Sequence, residues 1–191
     1  NEFGRYLDVD GDGVTYRTLP GTHPDKGAFF TRGSSKDEFA RYTEDGQAYV
    51  RNMKRLEKKW DTIKSNVPTS DISLDPDFNK AILYFGTTIY SAEEALDILK
   101  EHDLHYNWIR IKSFPFGPEV IDFINRHEEI FVIEQNRDAQ MRSLLINELE
   151  VAPSKLKKVL NYDGMAITAE QISMSIKEAT IFMDHSTPEM F

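Results

Sequence analysis

The sequence predicts an α/β fold: a mostly parallel open sheet flanked by helices, preceded by a long loop and a linking helix. Three observations carry that expectation. Residues 81–140 alternate strand, helix, strand, helix and strand by their periodicity. The first of these strands, Ala81-Ile82-Leu83-Tyr84-Phe85, is apolar without alternation, as strands buried on both faces of a parallel sheet are. Because helices alternate with strands, right-handed parallel crossovers are the default connection.

The chain opens irregularly. From 1 to 46 neither helical nor strand period persists, and Gly, Pro, Asp, Ser and Thr punctuate the segment closely, which reads as loop. Asp8, Asp10, Asp12 and Gly13 have the spacing that opens an EF-hand calcium loop. Leu19 stands where the closing bidentate Glu is needed, so an acidic surface turn is the better reading. A loop this long suggests missing context: Phe29, Phe30 and Tyr42 are expected to pack against an absent domain. With Asn1 rather than Met at its start and no apolar leader, the chain reads as a piece of a longer protein.

From Gln47 to about Lys64, Val50, Met53, Leu56, Trp60 and Ile63 recur at three- and four-residue steps and share one side of a helix. On its other sides Arg51, Lys54, Arg55, Lys58, Lys59 and Lys64 outnumber Glu57 and Asp61. This positive strip could meet a phosphate-bearing ligand or an acidic partner, or could be a solvated helix surface. Val67-Pro68 ends the helix, and Pro68 to Asp77 reads as a linker.

After the 81–85 strand, Gly86-Thr87-Thr88 leads to a helix whose capping box would be Ser91 and Glu94, with Ala92, Ala95, Leu96 and Leu99 buried. Tyr106 to Ile111 is the second strand. Pro118 suits the first turn of the next helix, which carries Val120, Ile121 and Ile124. Ile130 to Ile133 is the third strand, followed by Glu134-Gln135-Asn136 and a helix with Met141, Leu144, Leu145 and Leu149. Lys157 to Leu160 is a weaker fourth strand. Thr168 and Gln171 form a second capping box, opening a helix with Ile172, Ile176, Ala179 and Met183 on one side.

Composition narrows the function classes. The 191 residues carry a formal charge of -9, which argues against a general nucleic-acid or anionic-membrane binder, and no apolar run is long enough to span a bilayer. The absence of cysteine removes any disulfide, thiolate zinc site or iron–sulfur ligand from this chain and fits the cytoplasm. Neither a dinucleotide fingerprint, a nucleotide P-loop nor a nucleophile elbow occurs. His102 and His105 have an H-x-x-H spacing, but at a helix end such imidazoles suit the negative pole of the dipole better than a metal. Ligands of open parallel sheets gather beyond the carboxyl ends of the strands. Gly86, Thr87, Thr88, Glu134 and Asn136 should therefore emerge on one rim, either as a site or as caps and subunit contacts. No catalytic residue and no metal site are assigned.

Several ordered motifs carry a family resemblance. Asp8-Val9-Asp10-Gly11-Asp12-Gly13, then Tyr16-Arg17-Thr18-Leu19-Pro20-Gly21-Thr22-His23-Pro24, then Thr31-Arg32-Gly33 through Asp37-Glu38 to Tyr42, resemble the alpha subunit of 2-oxoacid:ferredoxin oxidoreductases, in the long form that fuses gamma and alpha portions. Arg55-Leu56-Glu57-Lys58-Lys59, Phe85-Gly86-Thr87-Thr88 with Glu94-Ala95, Phe114-Pro115-Phe116, and Val132-Ile133-Glu134-Gln135-Asn136 with Gln140 are similar to further segments of that family. The resemblance covers nearly all of the first 145 residues. It departs at Ala139, where the family usually has Gly, and the family's Tyr-Pro-Ile-Thr-Pro segment is absent.

The resemblance implies the C-terminal portion of a subunit in an enzyme that decarboxylates a 2-oxoacid on thiamine diphosphate, reduces ferredoxin through an iron–sulfur cluster and forms acyl-coenzyme A. Residues 1–66 would end the pyrimidine-binding domain, 67–77 would be a linker, and 78–191 would be a domain similar to the transketolase C-terminal domain. Such a piece serves assembly, shapes the site and is inactive alone, with no cofactor of its own. Thiamine diphosphate, magnesium, the cluster and coenzyme A belong to the complete complex. Its partners would be the beta subunit and the remaining gamma/alpha portion, with ferredoxin reached through the complex, and no nucleic acid or membrane. Arg32, Arg51, Arg55 and Lys58 are its candidate anion or partner contacts. The alternative is a self-sufficient small-molecule-binding α/β module.

Overall fold

The structure, a computed structural model, describes residues 2–24, 27, 33 and 35–184, with side chains to residue 180. The chain divides into two compact units, Asn1–Val67 and Pro68–Phe191. Among the described residues no helix is long and apolar enough to cross a membrane.

In the first unit, α1 (Gly46–Lys64) begins at Asp45, whose carboxylate accepts from the backbone N–H groups of Gln47 and Ala48 at 3.0 and 3.2 Å. That satisfies two of the donors every helix start leaves open. The irregular segment is tied to α1 by polar bonds. Arg55 Nη1 donates to Gly13 O at 3.0 Å, Thr62 Oγ1 to Asp12 O at 2.5 Å, and Asn52 Nδ2 to Lys36 O at 2.5 Å. The apolar side of α1 differs from expectation: Val50, Met53, Leu56 and Trp60 are all about 40% exposed, and only Ala48 is buried. Among the described residues, the bonds that tie the segment to α1 reach the carbonyls of Asp12, Gly13 and Lys36 and leave this stripe half-exposed.

The second unit is a five-stranded sheet in the order β1-β3-β2-β4-β5, with β1 (Asp71–Ser73), β2 (Lys80–Phe85), β3 (Asn107–Ile111), β4 (Glu129–Glu134) and β5 (Leu156–Leu160). The last four are parallel, and β1 runs antiparallel to β3. Between them lie α2 (Ile89–Lys100), α3 (Pro118–Arg126) and α4 (Gln140–Leu149), and α5 (Ala169–Asp184) follows. The α/β class with a mostly parallel sheet is as the sequence predicts.

Side-chain alternation divides the core into two layers. Leu83, Ile109 and Val132 pack with Phe123, Ile124 and Leu145 of α3 and α4. Ile82, Tyr84 and Ile133 pack with Ala95 and Leu99 of α2 and with Ile172 and Ile176 of α5. Period-two alternation on a doubly covered sheet is why β2 and β4 read as unbroken apolar runs. Pro118 stands in the first turn of α3.

Three local expectations need correction or restatement. Asp71–Ser73, inside the stretch expected as linker, is a strand: its carboxylate side chain meets Lys112 Nζ at 2.7 Å and Arg110 Nη1 at 3.6 Å on β3. Ser91 is not a cap. The chain tightens through a 3₁₀ turn at Gly86–Thr88 and enters α2 before Ser91, whose Oγ donates instead to Ile167 O at 2.8 Å. The Thr168–Gln171 box is present: Thr168 N donates to Gln171 Oε1 at 2.9 Å and Gln171 N to Thr168 Oγ1 at 3.2 Å. Met183 lies among the residues whose side chains are not described.

Candidate functional site

β2 and β4 are neighbours and parallel, so their carboxyl ends open on the same rim. There a cleft of about 600 Å³ is lined by Phe85, Gly86, Thr87, Gln135, Asn136 and Gln140, with Thr88 and Met141. Gly86 has φ +60°, in the left-handed region, and nothing lies within 4 Å of where a Cβ would stand, so the turn rather than a close approach requires the glycine. Thr87 is exposed. Thr88 is buried, and its Oγ1 accepts from Gln135 Nε2 at 3.1 Å while Gln135 Oε1 accepts from Ile167 N at 3.2 Å. That chain of bonds holds the ends of β2 and β4 to the entry of α5.

Glu134, expected on the rim, has its carboxylate fully buried. It accepts from Met141 N at 2.7 Å, Arg142 N at 2.9 Å and Asn136 Nδ2 at 2.8 Å. It thus closes the start of α4 from seven residues upstream. Asn136 Oδ1 accepts from Asp138 N at 3.1 Å and Gln140 N at 3.2 Å. Ala139 sits between with φ 51° and ψ 53°, a left-handed conformation that a glycine would adopt without the roughly 1–2 kcal/mol an L side chain incurs. Among the described residues no titratable group lines the cleft. Its amides and one exposed hydroxyl can orient a polar ligand or a subunit, but they supply no general acid or base.

Of the basic candidates, Arg32 lies outside the described residues, as do Phe29 and Phe30. Arg51 Nε donates to Glu38 Oε1 at 2.5 Å, and that hydrogen bond holds the Glu38 carboxyl below its ordinary value. Arg55 is bonded to Gly13 O, and its guanidinium lies over the Tyr6 ring at 6.0 Å. Lys58 is exposed beside the Gly11 turn. The acidic run is bound by its own loop: Asp8 Oδ1 accepts from Gly11 N and Asp12 N, Asp12 Oδ1 from Val14 N, and Asp10 Oδ2 from the Tyr16 hydroxyl. His102 and His105 do not converge. His102 Nδ1 bonds to Ile98 O at 2.8 Å, and His105 stacks on Phe78 at 5.2 Å.

Sequence reasoning missed a buried polar knot at the opposite end of the sheet. Asn107, the first residue of β3, places Nδ2 within 2.8–3.1 Å of His127 Nε2, Phe78 O and Asp75 O, and its Oδ1 accepts from Asp75 N at 2.6 Å. His127 Nδ1 donates to Phe123 O at 2.7 Å, which leaves Nε2 as the acceptor for Asn107. Residues 20 to 32 positions apart meet here, and nothing local in the sequence marks them.

Burial pushes the His127 imidazole below its ordinary value near 6.5. The unfolded chain therefore takes up this proton first, so the contribution is complete above about pH 6.5 and is lost as pH falls toward the folded value. In urea titrations the stability of the second unit is expected to fall, with a measurable slope, as pH drops through the ordinary imidazole range. That slope should flatten in His127→Gln. An unchanged slope would show that other groups carry the acid sensitivity.

No family model matches the chain, and no curated protein matches it. Among solved structures it is similar to 2-oxoglutarate:ferredoxin oxidoreductase from Magnetococcus marinus, solved with 2-oxoglutarate, coenzyme A and succinyl-CoA bound. The TM-score is 0.77 at 18% identity, over 92% of this chain and 30% of that one. The fold is shared with that oxidoreductase. A split-gene transketolase in the form of an inactive beta4 tetramer gives a TM-score of 0.48 at 16% identity, over 59% of this chain and 42% of that one. The alpha chain of a probable 2-oxoacid ferredoxin oxidoreductase from Thermoplasma acidophilum gives 0.40 at 21% identity, over 58% and 96%. The chain spans about a third of the length of the Magnetococcus protein.

Proposed function

We propose that this chain is the C-terminal part of the alpha subunit of a 2-oxoacid:ferredoxin oxidoreductase, an enzyme that decarboxylates a 2-oxoacid on thiamine diphosphate, reduces ferredoxin and forms acyl-coenzyme A. Its part is to join subunits and shape the site. The observation that carries the reading is the reach of the structural likeness. At 92% of the chain, it extends beyond the α/β unit into the irregular opening segment, where the ordered Asp8–Tyr42 motifs lie.

The residues present do not fit the complex's metals. Among the described residues no group of three or more Asp, Glu or His is placed to hold a metal ion, and the chain has no cysteine for a cluster. The strand-end cleft likewise offers amides and no base. In this reading the cofactors sit on polypeptide other than these residues, and this chain's contribution is placement.

The isolated chain, mixed with thiamine diphosphate, a 2-oxoacid, coenzyme A and a viologen dye, is expected to give no reduction above a blank. Dye reduction by the chain alone would defeat the proposal. Tight one-to-one binding of thiamine diphosphate by the lone chain would favour the self-sufficient module instead.

A further inference from the structure

We propose that a second cleft, formed within the first unit between the opening segment and α1, binds a multiply charged oxyanion of the phosphate class. It measures about 360 Å³, and Arg5, Arg17, Arg55 and Lys59 line it together with Tyr6 and Thr15. Among the described residues no carboxylate belongs to the lining. Four cations on one concave wall repel each other, and that field is neutralised most directly by an anion seated among them.

Neighbouring bonds brace two of the cations. Arg5 Nη1 donates to Thr18 Oγ1 at 2.9 Å, and Arg55 is fixed by Gly13 O and the Tyr6 ring. Arg17 and Lys59 make no hydrogen bond or ion pair among the described residues. The nearby acids Asp8, Asp10 and Asp12 are held by the loop's own donors, as described above.

Size and charge select the ligand class. A volume of this order suits a small molecule rather than a helix or a strand. Arg17 and Lys59 alone carry more charge than a monocarboxylate can neutralise, and planar guanidinium forks match phosphate oxygens in pairs. An extended polyanion is disfavoured, because the second unit carries 21 acidic against 11 basic residues while the first carries 11 against 12. This site is independent of the strand-end cleft and of the proposed enzymatic role.

Calorimetry on the full chain at low ionic strength tests it, with inorganic pyrophosphate as the probe. We expect one saturable site, weakened at least tenfold in the Arg17→Gln, Lys59→Gln double variant and unchanged in Arg51→Gln, whose guanidinium pairs with Glu38 outside the cleft. Circular dichroism of each variant checks that helix content is kept. Adenosine diphosphate binding more tightly than pyrophosphate would assign the site to a phosphorylated coenzyme, and equal binding would assign it to the free anion. Absent saturation, equal affinity in the double variant, or tighter binding of tricarballylate than of pyrophosphate would each overturn the proposal.

Discussion

Gly13→Ala is expected to release the opening segment from α1. Gly13 has φ +79°, and a Cβ there would stand 2.2 Å from Lys59 N and 2.7 Å from both Arg55 O and Lys59 Cα. These are backbone atoms of a 19-residue helix, which cannot move aside as the end of a flexible side chain can. The loop must retreat, and with it go the bonds from Arg55 to Gly13 O and from Thr62 to Asp12 O. Two part-buried hydrogen bonds plus the overlap and left-handed strain together put the loss at roughly 3 kcal/mol or more. Limited proteolysis reads this directly: cleavage within residues 5–19 should accelerate by about a hundredfold at that energy. Gly86→Ala separates steric overlap from backbone strain, since nothing lies within 4 Å there and only about 1 kcal/mol is at stake. Equal responses at the two positions would mean that the close approach to α1 contributes little.

Glu134→Ala is expected to lower the stability of the second unit by roughly 2–4 kcal/mol, read as a shift in the urea midpoint at unchanged slope. The side chain is 0% exposed, and its removal orphans the N–H groups of Met141 and Arg142 in a place water does not reach. Glu134→Gln keeps one good acceptor and should lose about half as much. A change within 0.5 kcal/mol in Glu134→Ala would show that α4 finds other partners for its first turn.

The sheet was legible because its strands are buried on both faces. Ala81 to Phe85 and Ile130 to Ile133 read as strands since no position in them had to be polar, and the parallel order followed from the alternation with helices. β1 was not, because three residues among prolines and aspartates leave no period to detect; what makes Asp71–Ser73 a strand is the open side of β3. The strand-end rim was found from topology, yet the roles of its residues were not. Whether Glu134 faces a ligand or caps a helix depends on where the chain turns back after Asp138, and the buried, left-handed Ala139 makes that turn. The cleft of Arg5, Arg17, Arg55 and Lys59 gathers residues up to 54 positions apart, so the basic character of α1 was visible while its concave arrangement was not.

Aggregation is where the shortness of β1 matters. Without it, β3 would border solvent with a row of open amide and carbonyl groups, a template for pairing with another chain. By running antiparallel for three residues and then leaving, β1 covers that row and presents too little border of its own to recruit a stranger. The exposed Lys158 on β5 does the same at the far margin by charge rather than by brevity. The sheet is therefore sealed at both sides against its own copies, and high salt, which screens Asp71 from Lys112 and Arg110, loosens the first of the two seals.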